Sequence, residues 1–388
     1  MTRRERFRSY MASVDPASNP STAIERGYFV DRPGSIASQI VGRFEIEPTA
    51  RQLIVGGIGS GKTTQLLVST IGLNDISDIS ATYIDVGQHQ DLGKVGPGCL
   101  VALASRELLN SFKEVEKSLS QRVSGWLHGQ WNEGEGDFDN YSDAWIPGII
   151  SSPEPDWTSI HQYHVDDLKT LSQAAIAEGK HPVFLFDSMD RMSDNAAFSR
   201  VVEEDVAALH ACGVGVVLVG PLRSLEGFGR IDADRFDHLH IQAPIDVRTD
   251  EWGHNFLEIV LGRRAAEDML PAEVRSELVL WSGGVLRDLM SLAKLAGEEA
   301  YLDGAEAISV DHVRRAADRF GRSLLMGLQQ DDLDKLKQVH GSGRFVQVSP
   351  SDIALIATRR ILEYREQTSS YAVHPAIAPL LADVGSAA

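Results

Sequence analysis

Hydrophobic positions along the chain fall into five short continuous runs set among longer stretches of helical period. The runs are RQLIVGG from Arg51, ATYIDV (Ala81–Val86), HPVFLF leading to Asp187, GVGVVLVG (Gly213–Gly220) and HLHIQAPI (His238–Ile245). Each has the length of a strand and most are rich in β-branched residues. Runs that are apolar at nearly every position, rather than at alternate ones, fit strands covered on both faces. Helical stretches lie between them at Ile36–Phe44, Gln65–Ile71, Pro97 to about Leu119, and Val165–Glu178. Strands separated by helices predict an α/β fold, a parallel sheet with helices on both faces.

Beyond about Asp246 the pattern is helical alone, in NFLEIVLGRRAAEDML, VLRDLMSLAKLAGEEAYL and SVDHVRRAADRF. A final piece, SDIALIATRRILEYREQTSSYAVHPAIAPLL, reads as helix, hairpin and short helix. The expected organisation is a polar lead-in over 1–26, an α/β core over 27–246, a helical domain over 247–322 and a small module over 323–388. One segment of the core breaks the pattern. Trp131–Trp157 holds seven carboxylates and no lysine or arginine, which reads as a long surface excursion. It is either a docking surface for a basic partner or a variable decoration pinned by Trp145 and Trp157.

The strongest local signal follows the first strand. GGIGSGKTT (Gly56–Thr64) satisfies G-x-x-x-x-G-K-[ST], with a strand before it and a helix after it. Gly56, Gly57, Gly59 and Gly61 let backbone N–H groups curl around a phosphate, and the helix directs its positive end at the same place. Lys62 would reach the β- and γ-phosphates, and the Thr63 hydroxyl would ligate magnesium, with Thr64 beside it. The spacing therefore predicts ATP with Mg2+ as the ligand. The plain alternative is a glycine-rich turn that binds nothing. FLFDSMDRM (Phe184–Met192) is the natural second half. Asp187 ends an apolar strand and would hold the magnesium, usually through water. Ser188 stands where a carboxylate that polarises the attacking water often sits, and it cannot act as that base. Asp190 is the nearest carboxylate able to turn back toward the phosphate.

Composition narrows the field only moderately. At 388 residues, 43% hydrophobic and 24% charged, the chain can bury two or three globular cores. A net charge of -18 disfavours general nucleic-acid binding. Within the C-terminal module six basic and six acidic residues balance between Asp331 and Glu366, which favours a protein contact over a duplex. Cys99 and Cys212, the two cysteines, lack metal-site spacing and read as core thiols of a cytoplasmic protein. MTRRERFRSYM lacks an apolar stretch behind its arginines, so it is not expected to be a secretory signal. No run of 18 apolar residues occurs, and no membrane association is expected. HQYH offers His161 and His164 at H-x-x-H spacing. Without a third ligand nearby, it reads as a solvent-facing pair.

Asp187-Ser188-Met189-Asp190 resembles the arrangement in the STAND class of P-loop ATPases, including NACHT proteins. There a tiny residue follows the magnesium aspartate and a second acidic residue comes two places later. The D-E pair of most AAA+ and ABC-type ATPases is absent. PLRSL places Arg223 just past a strand end, where origin-recognition and STAND relatives carry sensor 1, an arginine that touches the γ-phosphate. DRFDHLHIQAPID (Asp234–Asp246) resembles the segment closing the AAA+ core, so Arg235 corresponds to an arginine finger, with Arg230 a second candidate. A surface or intradomain ion pair is the alternative for Arg235. LWSGGVLRDLM (Leu280–Met290) resembles the lid element carrying sensor 2, with Arg287 at the matching place. STAND proteins usually have G-x-P there, and Gly284-Val285-Leu286 lacks the proline, so the subfamily stays open. The C-terminal piece resembles a degenerate winged helix.

From about residue 27 to 320 the motif order is similar to an AAA+/STAND ATPase. The resemblance implies an ATP- and magnesium-dependent ATPase with slow hydrolysis, acting as an oligomerising nucleotide switch or remodelling subunit. A regulatory or host-defence complex, with a protein partner, is the setting it implies. The competing expectation is a DNA-associated initiator or transposition regulator using the C-terminal module. A small-molecule kinase is disfavoured by the arginine sensors and the helical lid.

Overall fold

All five apolar runs form strands, and they join into one sheet. The computed structural model describes residues 1–32, 34–111, 116–127, 161–225, 230–365 and 369–382. The acidic segment 131–157, with Trp145 and Trp157, lies outside the described residues. Two compact units emerge.

One unit comprises Ala37–Ile54 and Val68–Leu239. It is built on strands β1 (Arg51–Gly56), β2 (Ile79–Asp85), β3 (His181–Asp187), β4 (Gly215–Val219) and β5 (His238–Gln242), in the order β2-β3-β4-β1-β5. The chain leaves this unit within β1 and again within β5. Pairings β2–β3, β3–β4 and β4–β1 are all parallel. β4 is buried at every residue and β3 at all but its first, as a sheet covered on both faces requires. The register aligns the strand ends. Leu218 of β4 pairs with both Phe186 and Leu53, and Val219 pairs with Ile54. β1 and β3 therefore run side by side across one intervening strand, about 10 Å apart at the usual strand spacing. They end at the same edge. Asp85 and Asp187 are directly paired at the ends of β2 and β3.

Helices Cys99–Ser111 and Gln162–Ala177 pack against β3, and Lys117–Leu127 packs against those two helices. Buried Asp205 holds the start of the first, its oxygens accepting from the N–H groups of Gly98 (2.6 Å) and Leu100 (2.7 Å). Burial pushes that carboxyl up to about 7, against those backbone bonds. His164 departs from the expected solvent-facing pair. It is 6% exposed and lies against Trp126, with ring centroids 4.4 Å apart and the planes tilted by 40°. Burial lowers its ring to about 4. The helix that carries it, Gln162–Ala177, turns this side chain inward, which an H-x-x-H spacing does not reveal. Cys99 and Cys212 are both buried and unbridged.

The other unit comprises Met1–Ile36, Val55–Leu67 and His240–Ala388. Its core is helical, from helices Glu251–Gly262, Ala272–Ser282, Leu286–Leu302 and Val310–Leu325. Residues 1–26, anticipated as a polar lead-in, contain helix Arg3–Ser13, whose Phe7, Tyr10 and the following Val14 enter this same core. Tyr10 donates its hydroxyl to the carbonyl of Ala293 at 2.7 Å, and Thr2 caps the helix in a box with Glu5. The C-terminal piece has the anticipated order. Helix Pro350–Ala357 precedes an antiparallel hairpin of β6 (Ile361–Arg365) and β7 (Ser369–Val373), then a 3-10 turn at Ala378–Leu381. An additional helix, Gln330–Ser342, comes before them. Among the described residues no helix is long and apolar enough to cross a membrane.

Candidate functional site

The glycine-rich loop lies between β1 and helix Lys62–Asn74, so its backbone meets a helix N-terminus where N–H groups lack partners within the helix. Two of its glycines are required by backbone conformation. Gly59 has φ +79° and Gly61 φ +101°, the left-handed region that favours glycine. A Cβ on Gly59 would lie 2.4 Å from the Cβ of Arg287, and one on Gly56 2.5 Å from the carbonyl oxygen of Gln242. Gly57 is freer, since a Cβ there would meet nothing closer than 3.7 Å. Lys62 is 6% exposed and its Nζ donates to the carbonyls of Gly56 (2.9 Å) and Gly57 (3.0 Å). The ammonium is thus folded back over the loop that would hold a phosphate. Thr63 and Thr64 follow in the first helical turn, both half-buried.

Arg287 belongs to the same unit. It sits in the first turn of helix Leu286–Leu302, exposed, and its backbone N–H donates to the carbonyl of Gly59 at 3.2 Å. Gly56, Gly57, Gly59, Gly61, Lys62, Thr63, Thr64 and Arg287 are therefore gathered in one place. A parallel strand runs into this loop, the loop runs into a helix, and the next-but-one strand ends in a buried aspartate. The fold is that of a P-loop nucleotide-binding protein.

No protein-family model and no curated protein matches the chain. Solved structures of similar course exist. The Aeropyrum pernix ORC2 protein (ADPNP–ADP complexes) is 13% identical with a TM-score of 0.46, covering 89% of this chain and 90% of that one. Cdc6p from Pyrobaculum aerophilum is 12% identical with a TM-score of 0.46, covering 96% and 98%. The Thermotoga maritima RuvB Holliday junction branch migration motor is 14% identical with a TM-score of 0.39, covering 89% and 92%.

Asp187, Asp190, Arg223 and Arg235 belong to the sheet unit. Asp187 is 4% exposed; Oδ1 accepts the N–H of Ser188 at 2.7 Å and Oδ2 accepts the hydroxyl of Tyr83 at 3.0 Å. Burial, and then the charge of Asp187, push the Tyr83 phenol well above its ordinary value, so it stays a donor. Each carboxylate oxygen keeps lone-pair capacity for a further donor, such as a metal-bound water. Ser188 has φ +73°, left-handed for a residue with a side chain, and its buried hydroxyl has no hydrogen-bond partner among the described residues. That turn sends the chain into the 3-10 segment Met189–Arg191, which carries half-buried Asp190. Strain of this kind concentrates at functional sites.

Arg223 lies in the 3-10 turn Leu222–Leu225 after β4. Its Nη2 donates to the carbonyl of Met192, in the same strap that carries Asp190, while its buried Nε has no hydrogen-bond partner among the described residues. Burial lowers its guanidinium below the usual value, opposed by Asp194. Arg235 instead pairs with Glu203 at 2.7 Å, with side chains 40% and 58% exposed. Both side chains stay exposed, and the pair lies within a single unit. Arg230 opens the short helix Arg230–Ala233. Tyr83 is a site residue that the sequence does not point to. Its link to Asp187 is set by the register of β2 against β3, and no short-range sequence pattern encodes it.

Proposed function

We propose that the chain is an ATP-binding, slowly hydrolysing, magnesium-dependent ATPase of AAA+/STAND type that works as an oligomerising nucleotide switch. The observation carrying this reading is the glycine loop itself, left-handed at Gly59 and Gly61, with the Lys62 ammonium resting on the Gly56 and Gly57 carbonyls. Polyphosphate is the ligand that offers Lys62 and the helix N–H groups more than those carbonyls do. Thr63 and Asp187 are the residues to hold magnesium, and the donor set suits it: a hydroxyl and a buried carboxylate with lone pairs to spare. Bound by these residues, magnesium would supply neutralisation of the polyphosphate charge.

The chain's own residues do the rest. Lys62 binds the phosphate oxygens, and Tyr83 and Ser188 N–H orient the Asp187 carboxylate. Asp190 orients the attacking water and takes its proton. Ser188 occupies the place of a stronger base, which makes hydrolysis slow and suits a timer better than a motor. Arg223 and Arg287 read the γ-phosphate, and Arg235 acts across a subunit contact. A cytoplasmic regulatory or host-defence complex with a protein partner fits the acidic surface.

Titration with a fluorescent ATP analogue tests the core of this reading. Wild type should bind in the micromolar range or tighter and Lys62→Ala should lose binding; equal affinity in both would overturn the assignment. Particle mass with ADP and with a non-hydrolysable ATP analogue tests the switch. Assembly with the ATP analogue alone supports it, and identical mass with both nucleotides refutes it.

A further inference from the structure

The crown of the phosphate loop is tied down by residues far along the chain. Ile58 donates its N–H to the carbonyl of Ala357 at 3.2 Å, and its own carbonyl accepts from Nη1 of Arg359 at 3.0 Å. Ala357 ends the helix before the C-terminal hairpin, and Arg359 follows in the turn that leads into β6. Arg359 has φ +65°, a conformation that L-residues with a Cβ avoid. Such a backbone persists only where its surroundings over-determine it.

Those surroundings are charged. Nε of Arg359 lies 2.8 Å from Oδ2 of Asp288, with the two side chains 15% and 1% exposed. Asp288 follows Arg287 in the first turn of helix Leu286–Leu302. Nε2 of His374, fully buried just after β7, lies 3.4 Å from the same carboxylate oxygen. Nδ1 of His374 accepts the N–H of Ala376 at 3.2 Å, which leaves the ring proton on Nε2, facing Asp288. A buried carboxylate demands a countercharge, and the guanidinium of Arg359 supplies it. One side chain therefore neutralises Asp288 with one edge and holds the loop carbonyl with the other. A guanidinium fork spans both contacts, and an ammonium does not.

We propose that Arg359 is a positioning residue for the nucleotide site, holding the phosphate loop in its binding shape through the Ile58 carbonyl. The inference rests on the reading of that loop as an ATP-phosphate cradle. Asp288, with His374 against the same carboxylate oxygen, pairs with Arg359, so the C-terminal module and the loop share one equilibrium, and loosening either loosens the other.

The test compares wild type with Arg359→Lys and with the double variant Arg359→Ala/Asp288→Asn, which leaves no buried charge unpaired. Melting temperature and the release rate of a fluorescent ATP analogue are measured on each. Loss of one charge-assisted hydrogen bond to the loop should speed release about tenfold. Arg359→Lys keeps the countercharge, so its melting temperature should stay near that of wild type. Faster release in both variants, with Arg359→Lys still stable, supports the inference. Release within twofold of wild type in both, whatever happens to melting temperature, overturns it. A failure of the cradle reading itself is distinct, because wild type would then bind no analogue at all.

Discussion

Replacement of Gly59 by alanine, set beside the same change at Gly57, separates a loop shaped for a phosphate from a merely glycine-rich turn. The backbone at Gly59 has φ +79°, and a left-handed conformation costs an alanine about 1–2 kcal/mol. The new methyl would also sit 2.4 Å from the Cβ of Arg287 and 3.0 Å from its Cδ. The Cβ is fixed to the helix Leu286–Leu302, so the loop or the helix must shift, at about 1–3 kcal/mol for overpacking. Loss of glycine's unfolded-state freedom returns about 0.4–1 kcal/mol. The net cost of keeping the binding shape is about 1–4.6 kcal/mol, or roughly 5- to 2,000-fold in affinity at 1.4 kcal/mol per factor of ten. At Gly57 the nearest atom to a new methyl is 3.7 Å away and φ is not in the left-handed region. Gly57→Ala should therefore change affinity less than about threefold. Titration of both variants with a fluorescent ATP analogue, alongside thermal melting, reads the difference. Equal affinity for Gly59→Ala and wild type would refute the reasoning, as would equal losses at both positions.

Four further outcomes are expected. Asp190→Asn should leave ATP binding within about threefold of wild type and reduce turnover by about 100-fold or more; wild-type turnover would remove Asp190 from the chemistry. Arg235→Ala should abolish any rise of specific ATPase activity with protein concentration, and a concentration dependence that survives would exclude action across a subunit contact. Phe7→Ala, at a site 3% exposed in the helical core, should lower unfolding free energy by about 3–5 kcal/mol in urea. A change below about 1 kcal/mol would mean that the N-terminal helix is not part of that core. Asp352 caps the start of helix Pro350–Ala357. Burial would raise its carboxyl, but Lys335 and the neighbouring Val348 and Ser349 groups outweigh that and hold it at about 2. Its stabilising share is present above the unfolded value of about 3.9 and is lost as pH falls through about 2. The gap in melting temperature between wild type and Asp352→Asn should close over that window, and a gap unchanged at pH 2 would refute the assignment.

The sequence by itself determined the five strands, the loop chemistry and the approximate limits of most helices. Those features are local. A run of β-branched residues reports burial on two faces whatever its neighbours are, and G-x-x-x-x-G-K-[ST] carries its glycine conformations within nine residues. Even the N-terminal helix was legible in principle, since Phe7, Tyr10 and Val14 recur at helical spacing, though the arginines around them mask the pattern. Pairings between distant residues were decided only by tertiary structure. Tyr83 reaches Asp187 because β2 pairs with β3 in one register, and a slip of one residue would point it to the other face. His164 is buried because its helix turns it against Trp126. Arg359 meets Ile58 across 301 positions of sequence, and its guanidinium lies against Asp288, which no local pattern links to it. The chain thus announces a glycine-rich loop in nine residues, while the arginine that meets it at Ile58 and the tyrosine that meets Asp187 come into place only through helix packing and strand register.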